Sequence, residues 1–208
     1  MKKMALVLRI NEKNYYSVIS EAVDFLKKGK IIIYPTETSY GLGADASNRK
    51  AIEKIHIIKE QPKNKPIPII VPTLRIAKKF GKISKEGEKL IGKFMPGPLT
   101  LIVEKKESVP EELSGKGMAF RISSNKIAND LCKKLGNAIT ATSANIHSEE
   151  PIYLGKGAIE KFVNKVDLII DAGTLPKRKA STLYDVKSRK VLREGPVKEK
   201  EIERTLAC

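Results

Sequence analysis

Cysteine, histidine and aromatic residues are scarce in this chain, and each shortage removes a class of answer. Two cysteines, Cys132 and Cys208, exclude a disulfide-rich scaffold and a multi-cysteine zinc site. Tryptophan is absent and Phe, Trp and Tyr together make 5% of the residues, with no aromatic-rich strand pair on which nucleic-acid bases would stack. Of the two histidines, His56 lies among isoleucines on a helical stretch and His147 in a polar loop; neither spacing fits a Ser–His–acid or Cys–His nucleophile. The phosphate-loop pattern Gly-x-x-x-x-Gly-Lys-Ser/Thr is missing. No apolar run is long enough to span a bilayer, and no repeat or heptad register is visible. The start, MKKMALVLRINEKN, lacks a secretory cleavage pattern, so a cytoplasmic protein without membrane contact is expected.

What the chain does have is positive charge. Lys and Arg number 40 against 24 Asp and Glu, a formal net charge of +16 spread along 208 residues. Such a field concentrates anions, whether RNA, nucleotides or polyphosphate, although lysines also solubilise surface helices. With 41% hydrophobic and 31% charged residues the composition is that of a globular protein of one large or two small domains.

Apolar spacing predicts helices over Tyr15–Lys28, from a Ser47 cap to Lys59, over Leu74–Phe80 and Lys85–Phe94 (capped by Ser84), and over Asn125–Leu135, Ala158–Val163 and Ile202–Leu206. Strands are expected at Met4–Ile10 (an edge), Lys30–Tyr34, Ile67–Val71, Leu99–Glu104, Gly117–Ile122, Ala138–Ala141 and Leu168–Asp171, with a hairpin at Ser181–Val186 and Lys190–Arg193. Pro68 places Ile67–Val71 at an edge or in an irregular position. Segments 99–122 and 181–193 look like antiparallel pairs, and Lys105–Lys116 like a surface loop. The expected fold class is mixed α/β: a single domain, residues 1–208, with one open, twisted, mixed or antiparallel sheet and flanking helices. A division near Lys105 into two half-size domains is the weaker option.

Polar residues gather directly after strand signals in four places. Tyr34–Gly43 sets three hydroxyls, a carboxylate and two glycines behind an isoleucine run, suited either to a ligand or to a turn that satisfies itself. Lys59–Pro66 ends a helix with a lysine, a good phosphate ligand and equally a common helix-end complement. Phe94–Thr100 has two prolines around a glycine, which fix the lead-in to a strand. Thr140–Asn145 ends a strand in hydroxyls and an amide, a favoured ligand position in α/β sheets as well as an ordinary turn. Ser181–Thr182 and Arg193 belong beside it.

Together these segments resemble the threonylcarbamoyl-AMP synthase family, the YrdC-like domain, in its short form. The resemblance rests on PTETSYGLGADA at 35–46, IKEQPKNKPI at 58–67, FMPGPLTLIV at 94–103, FRIS at 120–123, ATSANIHSEEPI at 141–152, STLYD at 181–185 and VLREG at 191–195, in family order from about Lys30 to Gly195. It implies an open twisted sheet with a large basic cavity, and an enzyme that joins L-threonine, bicarbonate (or CO₂) and ATP into threonylcarbamoyl-AMP and pyrophosphate. Mg²⁺ would arrive with the nucleotide. A downstream complex would then transfer the threonylcarbamoyl group to tRNA, with direct tRNA or RNA contact also implied. By the same resemblance Lys59, Ser143 and Asn145 act on the phosphates with Thr142 beside them. Thr36, Thr38 and Tyr40 lie near threonine and the carbamate, Arg121 holds the threonine carboxylate, and Ser181 and Arg193 sit on the nucleotide side.

Two positions depart from the family pattern. Gln61 stands where the family usually has arginine, and it supplies neither the charge nor the fork of a guanidinium. Ile70 stands where many members have histidine. Lys63 or Lys65 could supply the missing charge. The alternative functions are an RNA- or nucleotide-binding module without adenylate synthesis, or a hydrolase of threonylcarbamoyladenylate.

Overall fold

A computed structural model of the chain describes residues 4–115 and 117–207; Lys116, at the end of the expected surface loop, and Cys208 lie outside them. In chain order the strands are β1 (Leu6–Arg9), β2 (Ile32–Pro35), β3 (Tyr40–Gly43), β4 (Ile69–Ile70), β5 (Gly81–Lys82) and β6 (Leu99–Lys105). They continue with β7 (Gly117–Arg121), β8 (Ile139–Thr140), β9 (Thr142–Ser143), β10 (Leu168–Asp171), β11 (Thr182–Asp185) and β12 (Lys190–Arg193). The helices are α1 (Tyr15–Lys27), α2 (Arg49–Lys59), α3 (Leu74–Phe80), α4 (Lys85–Phe94), α5 (Lys126–Leu135), α6 (Gly155–Phe162) and α7 (Glu199–Ala207).

Helix ends fall where side chains can satisfy the first free amides. Thr73, Ser84 and Asn125 cap α3, α4 and α5. For α2 the cap is Asn48, whose side chain accepts from the Ala51 amide at 3.0 Å. Ser47, the expected cap, donates instead to Asp45 Oδ1 at 2.7 Å. Gly136, at φ 71°, closes α5 in the left-handed conformation that glycine adopts without cost.

The chain is a single mixed α/β domain, the class expected, but its strands divide between two sheets rather than forming one. The first has the order β1-β10-β2-β3-β9 and the second β12-β11-β6-β7-β4-β8, with β5 on β6. Strands β1, β10 and β2 run parallel, whereas β6–β7 and β11–β12 are the antiparallel pairs read from the sequence. Strand β4 is interior, between β7 and β8, and not at an edge. Pro68 is tolerated because it precedes the strand, where its carbonyl accepts from the Ala141 amide at 2.7 Å. Strands β3 and β9 are not among the strands expected from the sequence; their glycines and hydroxyls hide a pairing supplied by distant segments.

The isoleucine run is continuous because β2 is covered on both faces. Ile32 and Tyr34 pack with Val18, Ala22 and Leu26 of α1 and with Leu131 and Cys132 of α5. Ile31 and Ile33 point into the larger core, shared with Ile52 and Ile55 of α2 and with Leu101 and Phe120 of the second sheet. No helix of the described residues is long and apolar enough to cross a membrane.

Thr140 stitches the two sheets together. Its hydroxyl donates to the Leu42 carbonyl and accepts from the Ala44 amide, both at 2.9 Å. Its carbonyl accepts from the buried Tyr34 hydroxyl at 2.8 Å. Immediately after this seam the chain crosses to the first sheet as β9, so residues 141–145 are pinned where the sheets meet.

The seam between β11 and β12 sets a limit that can be tested. A Cβ on Gly195 would lie 2.4 Å from the Thr182 amide nitrogen and 2.5 Å from the Ala180 carbonyl oxygen, both backbone atoms. Gly195→Ala is therefore expected to lower stability by about 2–3 kcal/mol, the cost of overpacking against unyielding atoms. Urea denaturation measures this, and a loss under about 0.5 kcal/mol, the scale of an innocuous surface change, would show that the 180–182 backbone is free to shift.

Candidate functional site

Where the sheets meet, a cavity of about 560 Å³ opens between the Thr140 seam and the ends of β6 and β11. Lys59, Lys65, Arg121, Arg178 and Arg193 line it, and no Asp or Glu does among the described residues. All the site residues implied by the family resemblance line this cavity except Tyr40; of the two lysines offered for the missing charge, Lys65 lines it and Lys63 does not.

Lys59 is the last residue of α2 and is 4% exposed. Its ammonium donates to the Ser143 carbonyl at 2.6 Å, the Asn145 carbonyl at 2.9 Å and Asn145 Oδ1 at 2.7 Å. Asn145 Oδ1 also accepts from the Ser143 hydroxyl at 2.6 Å, and its amide nitrogen donates to the Glu149 carbonyl at 2.5 Å. The charge is thus held by neutral oxygens, with no carboxylate partner among the described residues. Burial pushes the Lys59 pKa down to about 8, and the positive charge of Lys65 adds to the shift. No anion neutralises this ammonium, but its three N–H donors are all engaged, so a ligand oxygen reaches one only by displacing a protein oxygen.

Arg121, at the end of β7, is arranged differently. Its Nε donates to Glu37 Oε1 at 2.8 Å, and both side chains are nearly sequestered, at 7% and 6% exposure. The second carboxylate oxygen accepts from the Ser123 hydroxyl at 2.5 Å. A third group joins β6, β11 and β12: the hydroxyls of Thr100 and Ser181 lie 2.7 Å apart, and Arg193 donates through Nε and Nη2 to the Ser181 carbonyl at 3.1 and 3.0 Å. Thr36 spends its hydroxyl on its own turn, donating to the Ser39 carbonyl at 2.8 Å, with the half-buried Thr38 hydroxyl 3.1 Å away.

Tyr40 is fully buried behind β3, where its hydroxyl donates to the Gly173 carbonyl at 2.8 Å and accepts from the Ala172 amide at 3.0 Å. Burial raises its pKa to about 12, so it is a neutral structural hydroxyl. Ile70 is a core residue packed beside Cys132, off the cavity wall, so its aliphatic side chain removes no group from the site. Gln61 does line the cavity, and its Nε2 lies 3.1 Å from His56 Nδ1. His56 Nε2 faces the Glu112 carbonyl at 2.7 Å. A carbonyl only accepts, so Nε2 carries the proton; in the neutral ring Nδ1 then accepts from the Gln61 amide.

Sequence reasoning gave no role to Glu37, Arg178 or His147, and it did not foresee that Lys65 Nζ lies 2.8 Å from His147 Nδ1. Glu37 carried a readable signal: a carboxylate between hydroxyls just after a buried strand needs a cationic partner. Arg178 sits in the exposed run Lys177–Lys179, which resembles any solvated loop.

The profile of the Sua5, YciO and YrdC family, described as telomere recombination, matches residues 24–195. A Methanocaldococcus jannaschii protein, provisionally named threonylcarbamoyl-AMP synthase, is 33% identical over 201 residues, covering 94% of this chain and 94% of its own length. The threonylcarbamoyl-AMP synthase of Pyrococcus abyssi is 32% identical and covers 98% of this chain, which spans 61% of that protein's length. The crystal structure of P. abyssi Sua5 complexed with L-threonine matches with a TM-score of 0.86 at 32% identity, covering 99% of this chain and 61% of that one.

The Lys59 nest makes a direct prediction. Followed by NMR at its ε carbon, Lys59 should titrate near pH 8. Asn145→Ala removes one oxygen that favours the ammonium and should move the midpoint further down. An ordinary lysine midpoint, about 10.4, would show that the ammonium is solvated by water instead.

Proposed function

The chain belongs to the Sua5, YciO and YrdC family, and from that premise we propose that it is an L-threonylcarbamoyladenylate synthase acting in the cytoplasm. The observation that carries the reading is one cavity holding an uncompensated buried ammonium, Lys59 with Ser143 and Asn145, together with a separately paired guanidinium, Arg121. The first suits phosphate and the second a carboxylate.

In this reaction the amine of L-threonine adds to the carbon of bicarbonate with loss of water, or to CO₂ with loss of a proton, to give a carbamate. A carbamate oxygen then attacks the α-phosphorus of ATP, the bond to the β-phosphate oxygen breaks, and pyrophosphate leaves with the electron pair. No covalent enzyme nucleophile is needed; the protein positions reactants and stabilises charge. Lys59, with Ser143, Thr142 and Asn145, would hold the phosphates, and Arg121 the threonine carboxylate. Thr36 and Thr38 would stand by the threonine and carbamate. Thr100, Ser181 and Arg193 would face the nucleotide. Mg²⁺ would come with the triphosphate, held by phosphate oxygens and water; the wall offers it hydroxyls and amides rather than carboxylates. Tyr40 would act indirectly, by anchoring β3 to Gly173. The product would pass to a tRNA-modifying complex that takes up the threonylcarbamoyl group.

Gln61 favours a second reading. Its amide is neutral and gives one N–H to His56, so no arginine-like charge stands there. A nucleotide- or RNA-binding protein without adenylate synthesis, or a hydrolase of the adenylate, would tolerate that loss. Gln61→Arg separates the readings: a large rate gain marks a handicapped synthase.

Purified protein is expected to release pyrophosphate only when L-threonine and bicarbonate are both present. RNA binding without that release would favour the binding module, and consumption of added threonylcarbamoyladenylate the hydrolase. Lys59→Ala, checked for its fold by circular dichroism, should cut release by about 100-fold or more, the size of one lost transition-state contact; near-normal turnover would reject the assignment. The pH dependence has a definite sign. Lys59 carries its proton below about pH 8 and loses it above. The apparent kcat/KM for ATP should therefore hold up to pH 7.5 and fall by about tenfold per pH unit at higher pH.

A further inference from the structure

Glu37 is absent from the cavity wall, yet it controls a group that is on it. Its two carboxylate oxygens are divided between Arg121 Nε at 2.8 Å and the Ser123 hydroxyl at 2.5 Å. Ser123 in turn accepts from the Asn125 amide at 3.1 Å, the residue that caps α5. The guanidinium is thereby fixed from behind, through Nε alone, against a rigid helix start. Its two terminal nitrogens have no protein acceptor among the described residues, so the end-on fork remains for a ligand on the Arg121 side of the cavity.

The same carboxylate divides the cavity by charge. Arg121 and Glu37 together are net neutral, whereas Lys59 keeps an uncompensated positive charge among neutral oxygens. A polyphosphate gains most where charge is unpaired, and a single carboxylate gains most from a prepositioned fork. We propose that Glu37 is a positioning residue that holds the Arg121 fork for the amino-acid carboxylate and, by neutralising it, keeps the phosphate chain at Lys59. This rests on reading the cavity as a threonine and ATP site.

The test is direct binding by calorimetry of L-threonine and of ATP, each alone, to the full chain and its variants. Glu37→Ala should weaken L-threonine by at least about tenfold while ATP affinity stays within about threefold, since only the fork is released. Glu37→Gln keeps an oxygen for Nε and should restore threonine affinity to within about threefold of the parent, as the surviving hydrogen bond predicts. It leaves the guanidinium charge unpaired, however, so inorganic pyrophosphate should now compete with threonine, which it should not do in the parent. Equal loss of both ligands in Glu37→Ala, or no loss of either, overturns the proposal. If that variant does not fold, absence of pyrophosphate competition in Glu37→Gln overturns it. A parent protein that binds threonine and ATP yet releases no pyrophosphate would end the synthase reading and leave the role of Glu37 standing. A parent that binds no threonine would end both.

Discussion

A buried ammonium without an anion organises this molecule. Moving an isolated charge out of water is costly unless polar groups replace the lost hydration. Lys59 meets that demand with three oxygens drawn from residues 143 and 145, more than eighty positions away in the chain. Those oxygens converge only because Thr140 ties β8 to the end of β3 and the next residues pair as β9. The lysine also ends α2, where a cation complements the helix dipole. Helix, seam and loop therefore depend on one another, and the loop reaches its place as part of the fold rather than as an appended binding element.

The cavity contains two kinds of cation, and the distinction matters more than the overall +16. Of these, only Arg121 faces a carboxylate among the described residues, that of Glu37; Arg193, like Lys59, is engaged by a neutral oxygen, the Ser181 carbonyl. Lys59 is solvated by dipoles and Lys65 rests on His147. A net charge spread along the chain attracts anions without orienting them. Orientation comes from which cations are paired and with what, and that is a property of a few contacts between distant segments.

Much of this was legible in the sequence because local physics and family pattern agreed. The stripe Val18, Ile19, Ala22, Val23 and Leu26 is a helix face, and Ile31–Ile33 is a doubly covered strand. The hydroxyl and lysine segments converge as expected. Less legible was whatever depended on long-range pairing. Tyr40–Gly43 has no local strand signal, and it becomes β3 because β2 and β9 flank it. The division into two sheets follows from the crossing at Ala141, which no periodicity marks. Tyr40 was assigned to the pocket with its neighbours, but strand alternation turns it to the opposite face, toward Gly173. The Asn48 cap was missed by one residue because Ser47 and Asn48 are both good caps and Asp45 engages the serine first.

Gln61 shows how a single substitution redistributes the work of a site. One N–H of its amide donates to His56, whose other nitrogen is fixed by the Glu112 carbonyl, which leaves one N–H and a carbonyl oxygen, both neutral, in place of a guanidinium. Lys59 and Lys65 both line that cavity, and they repel one another: Lys65 is one of the two causes that lower the Lys59 pKa. Without a ligand this repulsion raises the free energy of the charged site. A polyanion lying between the two lysines removes the repulsion and favours the protonated form of Lys59. By linkage, ligand binding and proton binding at Lys59 strengthen each other near pH 8. In a threonine and ATP site, like charges set against one cavity would favour a multiply charged ligand over a singly charged one.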